Sequence, residues 1–294
     1  MLARSAITTT TRSAAPALNT LGQTRNMATL KEIQNRLKSV TNISKITASM
    51  KMIASTKTTR AQRAMNVARQ YGQVSNDFIK QADVKVAGDA KELIVTASSD
   101  KGLCGGIHSS LSRYSRRYLN EHPEAPLVVI GDKGKVQLQR VFPQNIKYSF
   151  NQIGSTIPTF DESSAISSVI LSDKSIEFDN TKLVYNKFVS AIAFETSEIE
   201  NYPISQIIEA PNFKAYEVQE EVLENLNEFL FANSMHWALV EGHAAEMAAK
   251  RTAMENATKN AGDMIQRLTL QYNRGRQTVI TNELIEIITG ASAL

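Results

Sequence analysis

The chain has 294 residues, of which 42% are hydrophobic, 21% charged and 6% aromatic, which allows one or two domains with at least one real core. Its formal charge of +4 is unevenly placed: residues 1–30 hold three arginines and no acid, leaving 30 basic against 29 acidic residues (+1) in the remainder, a poor basis for nucleic-acid binding. The single cysteine, Cys104, excludes an intrachain disulfide, a cysteine-based zinc site and a dithiol switch, and aliphatic runs such as Leu127–Ile130 fall far short of the roughly 20 residues of a membrane-spanning helix.

Residues 1–27 combine Arg4, Arg12 and Arg25 with many Ser and Thr, and the first acid of the chain is Glu32. An arginine-rich, hydroxyl-rich, acid-free leader has the makeup of an organellar transit peptide. Thr8–Thr11 interrupts the apolar stretch a secretory signal would need. Beyond this leader every proline lies between 123 and 211. Proline is what most strongly forbids long helices, so residues 28–86 and 212–294 are free to form them and residues 87–211 are expected to be a separate unit.

The first helix opens on Thr29-Leu30-Lys31-Glu32, a capping box in which the Thr hydroxyl takes the Glu32 amide and the Glu side chain returns to Thr29. Apolar residues follow at Leu30, Ile33, Leu37, Val40, Ile43, Ile46, Met50 and Ile53. Their steps alternate three and four except at Val40–Ile43, a short step that would locally overwind a supercoil. The seam then thins to Ala61, Ala64, Val67, Tyr71, Val74 and Phe78. Gly72 weakens the helix there without ending it.

Residues 87–211 alternate β-rich runs (92–98, 127–130, 182–190) with helical patterns near 107–120, 134–141 and 161–173. That alternation predicts an α/β layer structure with a partly parallel, Rossmann-like sheet, its last strands around 183–199 pairing antiparallel across a turn. Two glycine loops, Ser98–Gly106 and Gly131–Lys135, follow strands and precede helices, where open α/β sheets bind phosphate. Neither matches G-x-x-x-x-G-K-[ST] or G-x-G-x-x-G, and tight strand-to-helix turns account for the glycines more simply. His108, His122, His236 and His243 are scattered, Glu241 and Glu246 read as solvated helix faces, and Cys104 reads as a small buried residue. No catalytic set, cofactor site or metal-ligand spacing emerges.

The last segment repeats in threes and fours from Leu223 through Leu226, Leu230, Asn233, Trp237, Val240, Ala244, Met247, Arg251, Met254, Thr258, Ala261, Ile265 and Leu268 to Tyr272, an almost unbroken heptad seam. Gly290 is placed to stop it. Two helices of about 55 and about 78 residues would measure roughly 80 and 115 Å. Charge supports pairing them: residues 31–80 hold ten basic and two acidic residues (+8), residues 212–294 seven and eleven (−4). Both attach to the middle unit, so the pair must run antiparallel. The fold class is therefore α/β, a long antiparallel coiled coil of the terminal helices plus a central α/β domain. Equal distances from that domain put Thr29 beside residue 267, so everything beyond about Leu268 would project alone. Yet that tip carries Val279, Ile280, Leu284, Ile285, Ile287 and Ile288, and a lone helix apolar on most sides needs a socket made by other chains.

Three blocks and the terminus carry a family resemblance: Leu30–Val40 with Ile46–Ala54, the Ser99–Gly106 loop, Glu246–Ala261, and Ile280–Ala291. On these residues the chain resembles the gamma-subunit family of F-type ATP synthases in its mitochondrial form, over essentially all of residues 28–294. The resemblance implies a central-stalk rotor whose paired helices pass through a ring of alternating alpha and beta subunits. It implies a foot that rests on the c-subunit ring with the delta and epsilon subunits, and a place at the matrix side of the mitochondrial inner membrane, peripheral to it. ATP chemistry would belong to the beta subunits, with no cofactor, metal or nucleic acid bound by this chain. Arg276 and Gln277 fall where the family contacts a beta-subunit catch loop, a guanidinium suiting carboxylates there. Thr281 and Glu283 belong to the same tip network, and Lys45 and Met50 lie where the shaft meets the beta-subunit lever. Two other functions compete: an α/β nucleotide-dependent enzyme with dimerising helical arms, and a nucleic-acid scaffold, against which the −4 balance of the long helix argues.

Overall fold

The computed structural model describes residues 29–84, 91–153, 156–173, 175–213, 216 and 220–293; the leader expected over 1–27 and the expected boundary at 86 lie outside them. Helix α1 spans Leu30–Ala82. It begins as the sequence predicts, with Glu32 N donating to Thr29 Oγ1 at 3.3 Å and Thr29 N donating to Glu32 Oε2 at 2.9 Å. It ends at Asp83, whose φ of 55° turns the chain into the left-handed region.

The middle of the chain runs β1 (Glu92–Ala97), α2 (Ile107–Glu121), β2 (Leu127–Ile130), α3 (Asp132–Gln139), β3 (Ile146–Phe150), α4 (Phe160–Ser172), β4 (Asn180–Phe188), β5 (Phe194–Asn201) and the short α5 (Ile204–Glu209). The strands form one sheet in the order β3-β2-β1-β4-β5. The first four are parallel, with Val95 opposite both Val128 and Leu183, and β5 returns antiparallel to β4, Tyr185 facing Ser197. Strands β1 and β2 are buried on both faces, which is why they read as unbroken aliphatic runs rather than alternating ones. β3 and α5 have no counterpart among the predicted elements.

Each sheet face has its own core. Leu111 and Leu119 of α2 and Leu138 of α3 pack against Ile94, Val129 and Val184. On the other face Ile166 and Ile170 of α4 pack with Phe231, Met235 and Leu239 against Leu93, Val95 and Leu183. Those three aromatic and aliphatic residues belong to α6 (Glu220–Ser292), so the last helix is at once a layer of the α/β domain and half of the coiled coil.

The two long helices pair antiparallel: Lys51 meets Glu255 at 2.8 Å and Thr258 donates to Thr47 at 2.8 Å. The α6 seam lies where the sequence puts it, with Trp237, Val240, Ala244, Met247, Met254 and Ala261 buried. The α1 seam does so only in part: Val40, Met50, Ala61, Ala64 and Phe78 are at least half-buried, but the other members predicted between Ile43 and Val74 are exposed. Its buried residues are Thr47, Ala54, Thr58, Ala61, Met65, Ala68, Gly72, Ser75, Ile79 and Ala82, a regular run of threes and fours that passes from Val40 through half-buried Ser44 to Thr47. The short step at Val40–Ile43 is therefore not a stutter in the seam. Ile43, Ile46 and Ile53 stand 52–58% exposed on its flank, and Val67, Tyr71 and Val74 lower down are 57–70% exposed. Small seam residues let the two backbones approach closely, and the larger apolar side chains are displaced to the outside. Gly72 is the extreme case: a Cβ there would lie 2.5 Å from the Trp237 ring.

Glu241 and Glu246 are likewise not solvated. They are 0% and 3% exposed, because at their level α6 is enclosed between α1 and the end of the sheet.

Candidate interaction surface of the shaft and its tip

Leu30, the first residue of α1, lies beside Gly275, its Cγ 3.8 Å from where a Cβ would sit. Pairing thus reaches about two turns further along α6 than expected. The reason is at the other end of the shaft: α6 begins at Glu220 rather than at 212, so the end of α1 at Ala82 packs with Leu223 and Leu230 of α6, while Asn212 N donates to the Ala82 carbonyl at 3.4 Å beside them. Beyond Gly275, residues 276–293 are all exposed, and Val279, Ile280, Leu284, Ile285, Ile287 and Ile288 show 42–69% of their surface.

The six candidate contact residues divide between this overhang and the upper shaft. Arg276, Gln277, Thr281 and Glu283 are all exposed on the overhang. Arg276 and Glu283 are seven positions apart and share a face, and Gln277 and Thr281 share an adjacent one, the Thr281 hydroxyl donating to the Gln277 carbonyl at 2.9 Å. Lys45 is exposed, whereas Met50 is half-buried at the edge of the seam. They lie about 140° apart around α1 and are not brought together. The additional apolar surface that the sequence reading assigned to the seam, Ile43, Ile46 and Ile53, stands beside Met50 and faces outward.

The glycine loops meet at the carboxyl ends of β1, β2 and β3, around a cavity of about 390 Å3 closed on its far side by Leu239, Gly242 and His243 of α6. Its most phosphate-like position is already filled. Asp100 Oδ1 accepts from the Asp132 amide at 2.7 Å, and Oδ2 accepts from the Gln152 amide at 2.7 Å. Asp132 begins α3, so the chain's own carboxylate occupies the helix amide that an open sheet would offer to an anion. Gly131 has φ of 95°, and a Cβ there would lie 2.5 Å from Ser99 N, a close approach that only glycine permits.

Burial shifts the titration of the polar residues near the cavity. Burial, with the Lys101 and Lys57 cations, pushes the His243 pKa down to about 4. Burial raises that of Glu246. The Cys104 thiol, 1% exposed and within 3.5 Å of Glu246 Oε1, is pushed up to about 12, first by burial and then by that carboxylate. A thiol so rarely ionised is not a nucleophile. Among the described residues no group of three or more His, Cys, Asp or Glu could hold a metal ion, and no helix is long and apolar enough to cross a membrane.

Comparison with known proteins bears on the same surfaces. The family model described as ATP synthase matches residues 29–294. The mitochondrial ATP synthase gamma subunit of Yarrowia lipolytica is 46% identical over 287 residues, covering 96% of this chain and 98% of its own. Those of Schizosaccharomyces pombe and Rattus norvegicus are 50% and 42% identical, each over 91% of this chain and 89% and 100% of their own. A chain from the central stalk and c-ring structure of the Tetrahymena thermophila mitochondrial ATP synthase superposes with a TM-score of 0.63 at 29% identity, covering 72% of this chain and 99% of that one. A chain of the Euglena gracilis enzyme shares the fold, with a TM-score of 0.76 at 20% identity over 90% of this chain and 94% of its own. With a coiled-coil shaft, a Rossmann-like foot, an apolar overhang and relatives matched end to end, the chain belongs to the gamma-subunit family of the ATP synthases.

Proposed function

We propose that this chain is the non-catalytic rotor of a mitochondrial ATP synthase, a shaft that carries proton-driven rotation of a c ring to the nucleotide sites of a surrounding ring of alpha and beta subunits. The observation that carries the reading is the overhang. Residues 276–292 form a helix exposed on every side, with six large aliphatic residues, and burying such surface is strongly favourable in water. The outward apolar flank at Ile43, Ile46 and Ile53 extends the same logic down the shaft. Asp100, seated on the α3 amide, supports leaving nucleotide chemistry to the partner subunits.

In this reading the foot stands on the c ring with the delta and epsilon subunits, and the complex works at the matrix side of the inner membrane. Residues 1–27 serve as the mitochondrial transit peptide, residues 28–86 and 212–294 as the shaft helices and residues 87–211 as the foot. Arg276, Gln277, Thr281 and Glu283 contact the beta-subunit catch loop and tip socket, and Lys45 and Met50 contact the ring lower down. The test is the double variant Arg276→Ala, Gln277→Ala in the assembled enzyme. Assembly and ATP hydrolysis should persist while proton-driven synthesis falls at least about tenfold, the effect of losing roughly 1.4 kcal/mol or more of charge-assisted contact. Synthesis at the unmodified rate would contradict the role given to the tip.

A further inference from the structure

We propose that Arg69, Glu241 and Trp237 form a torsional clamp, positioning residues through which rotation of the foot is handed to both shaft helices at once. The proposal rests on the rotor reading above. Helix α6 belongs to two bodies. Its Phe231, Met235 and Leu239 lie in the sheet core, while Val240, Ala244 and Met247 already pack against Ala61, Met65 and Ala68 of α1. Glu241 sits at this handover with its side chain fully buried.

Three elements meet on that one carboxylate. Arg69 of α1 donates to Glu241 Oε1 at 2.6 Å, and the Phe188 amide at the end of β4 donates to the same oxygen at 3.1 Å. Trp237 Nε1 donates to Oε2 at 2.6 Å. Arg69 also donates to the Phe188 carbonyl at 3.3 Å, so the guanidinium bridges the other helix and the sheet. One turn along α1, Gly72 leaves room for the Trp237 ring against the helix, which holds the indole in place to reach Glu241.

The arrangement matters because of how contacts resist torque. Apolar burial is non-directional and fixes how close two helices lie more firmly than how far one slides around the other. Charge-assisted hydrogen bonds are directional, and a carboxylate with no solvent contact cannot exchange its partners for water as it is sheared. Twisting the foot about the shaft axis loads the Arg69–Glu241–Phe188 network directly. With it intact, α1 turns with α6 and β4 as one body; without it, α1 can lag.

Glu241→Gln keeps the volume and an acceptor for Trp237 but removes the charge that holds Arg69. Arg69→Lys keeps the charge but replaces the planar guanidinium, whose Nη2 serves both Glu241 Oε1 and the Phe188 carbonyl, by a freely rotating ammonium on a shorter side chain. Each variant would be examined in the complete membrane-reconstituted complex, with the catalytic ring fixed to a surface, the tip cross-linked to that ring, and an optical probe attached to the foot. The clamp predicts a several-fold broadening of the foot's angular distribution in Glu241→Gln and a smaller one in Arg69→Lys. It also predicts a several-fold loss of ATP synthesis at a limiting proton gradient with uncoupled hydrolysis retained. An unchanged angular spread overturns the clamp, and so does a lower yield of complex whose assembled fraction is as stiff as the unmodified one, since that is a purely structural role. Should Glu241→Gln not assemble, Arg69→Lys carries the same test. A foot that fails to turn in the unmodified, uncross-linked enzyme overturns the rotor reading and the clamp with it.

Discussion

At the scale of single residues, burial decides what each polar group can do. Glu241 and Glu246 lie on the turns of α6 sealed between α1 and the sheet, and His243 is half-buried beside them at the cavity. His243 is ordinarily half-protonated at 6.5, and in the folded chain only at about 4, because burial and the Lys101 and Lys57 cations oppose its charge. A folded value below the unfolded one means that its contribution to stability is complete above pH 6.5. It is lost progressively as the pH falls toward 4, where the unfolded chain binds a proton that the folded one refuses. The loss is on the order of 3 kcal/mol across that window. Glu246, whose pKa is raised by burial, works in the opposite sense from its ordinary 4.5 upward and flattens the observed slope. His243→Asn should therefore remove much of the destabilisation of the shaft–foot junction between pH 7 and pH 5, followed through the fluorescence of the chain's one tryptophan, Trp237. An unfolding midpoint that falls as steeply in the variant as in the parent would contradict the assignment. None of these burial states was visible in the sequence, where a glutamate in a heptad array reads as surface. The one available signal was Trp237 four residues before Glu241, an indole donor and a carboxylate on one helical face. Cys104, by contrast, read correctly as small and buried, since nothing near it in sequence supplied a base.

At the scale of elements, the two long helices were not equally legible. Two-thirds of the α6 seam is large apolar residues, so hydrophobic periodicity finds it from Leu223 to Tyr272. The buried α1 seam is mostly Thr, Ala, Ser and Gly, residues with little hydrophobic signal, with Met65 and Ile79 its two large apolar members, while Ile43, Ile46 and Ile53 point elsewhere. Periodicity therefore located the flank, and mistook the offset between flank and seam for an irregular step. The strands β1 and β2 and the helices α2 and α4 fell within a residue or two of their predicted places. β3 was missed because it is an edge strand of four half-exposed residues and one exposed one, Lys147, and α5 because a six-residue helix after Pro203 carries almost no pattern. The close approach of the helices gives a direct prediction. Gly72→Ala adds a methyl 2.5 Å from the Trp237 ring. Overpacking of this kind costs about 1–3 kcal/mol, more than the gain in helix propensity of about 1 kcal/mol. Thermal unfolding should shift downward; an unchanged or raised midpoint would mean that the two helices can part here without loss.

At the scale of the whole molecule, stiffness and exposure belong to one design. A 53-residue helix and a 73-residue helix start together at the foot, so the longer must overhang, and the overhang is where the apolar residues stand unpaired. A count of lengths made the overhang legible, and misjudged its beginning by about two turns because the last helix was expected from residue 212 and α6 begins at Glu220. In the proposed rotor this tip lies inside a sleeve of other polypeptides. Because Cys104 is the sole cysteine and is buried with a thiol pushed up to about 12, a cysteine placed at Ile285 can be followed almost without background by the rate of thiol alkylation on the tip peptide. The account predicts rapid labelling of Ile285→Cys in the separated chain and protection by orders of magnitude in the assembled enzyme. Equal rates in the two states, or a tip already protected in the separated chain, would contradict it.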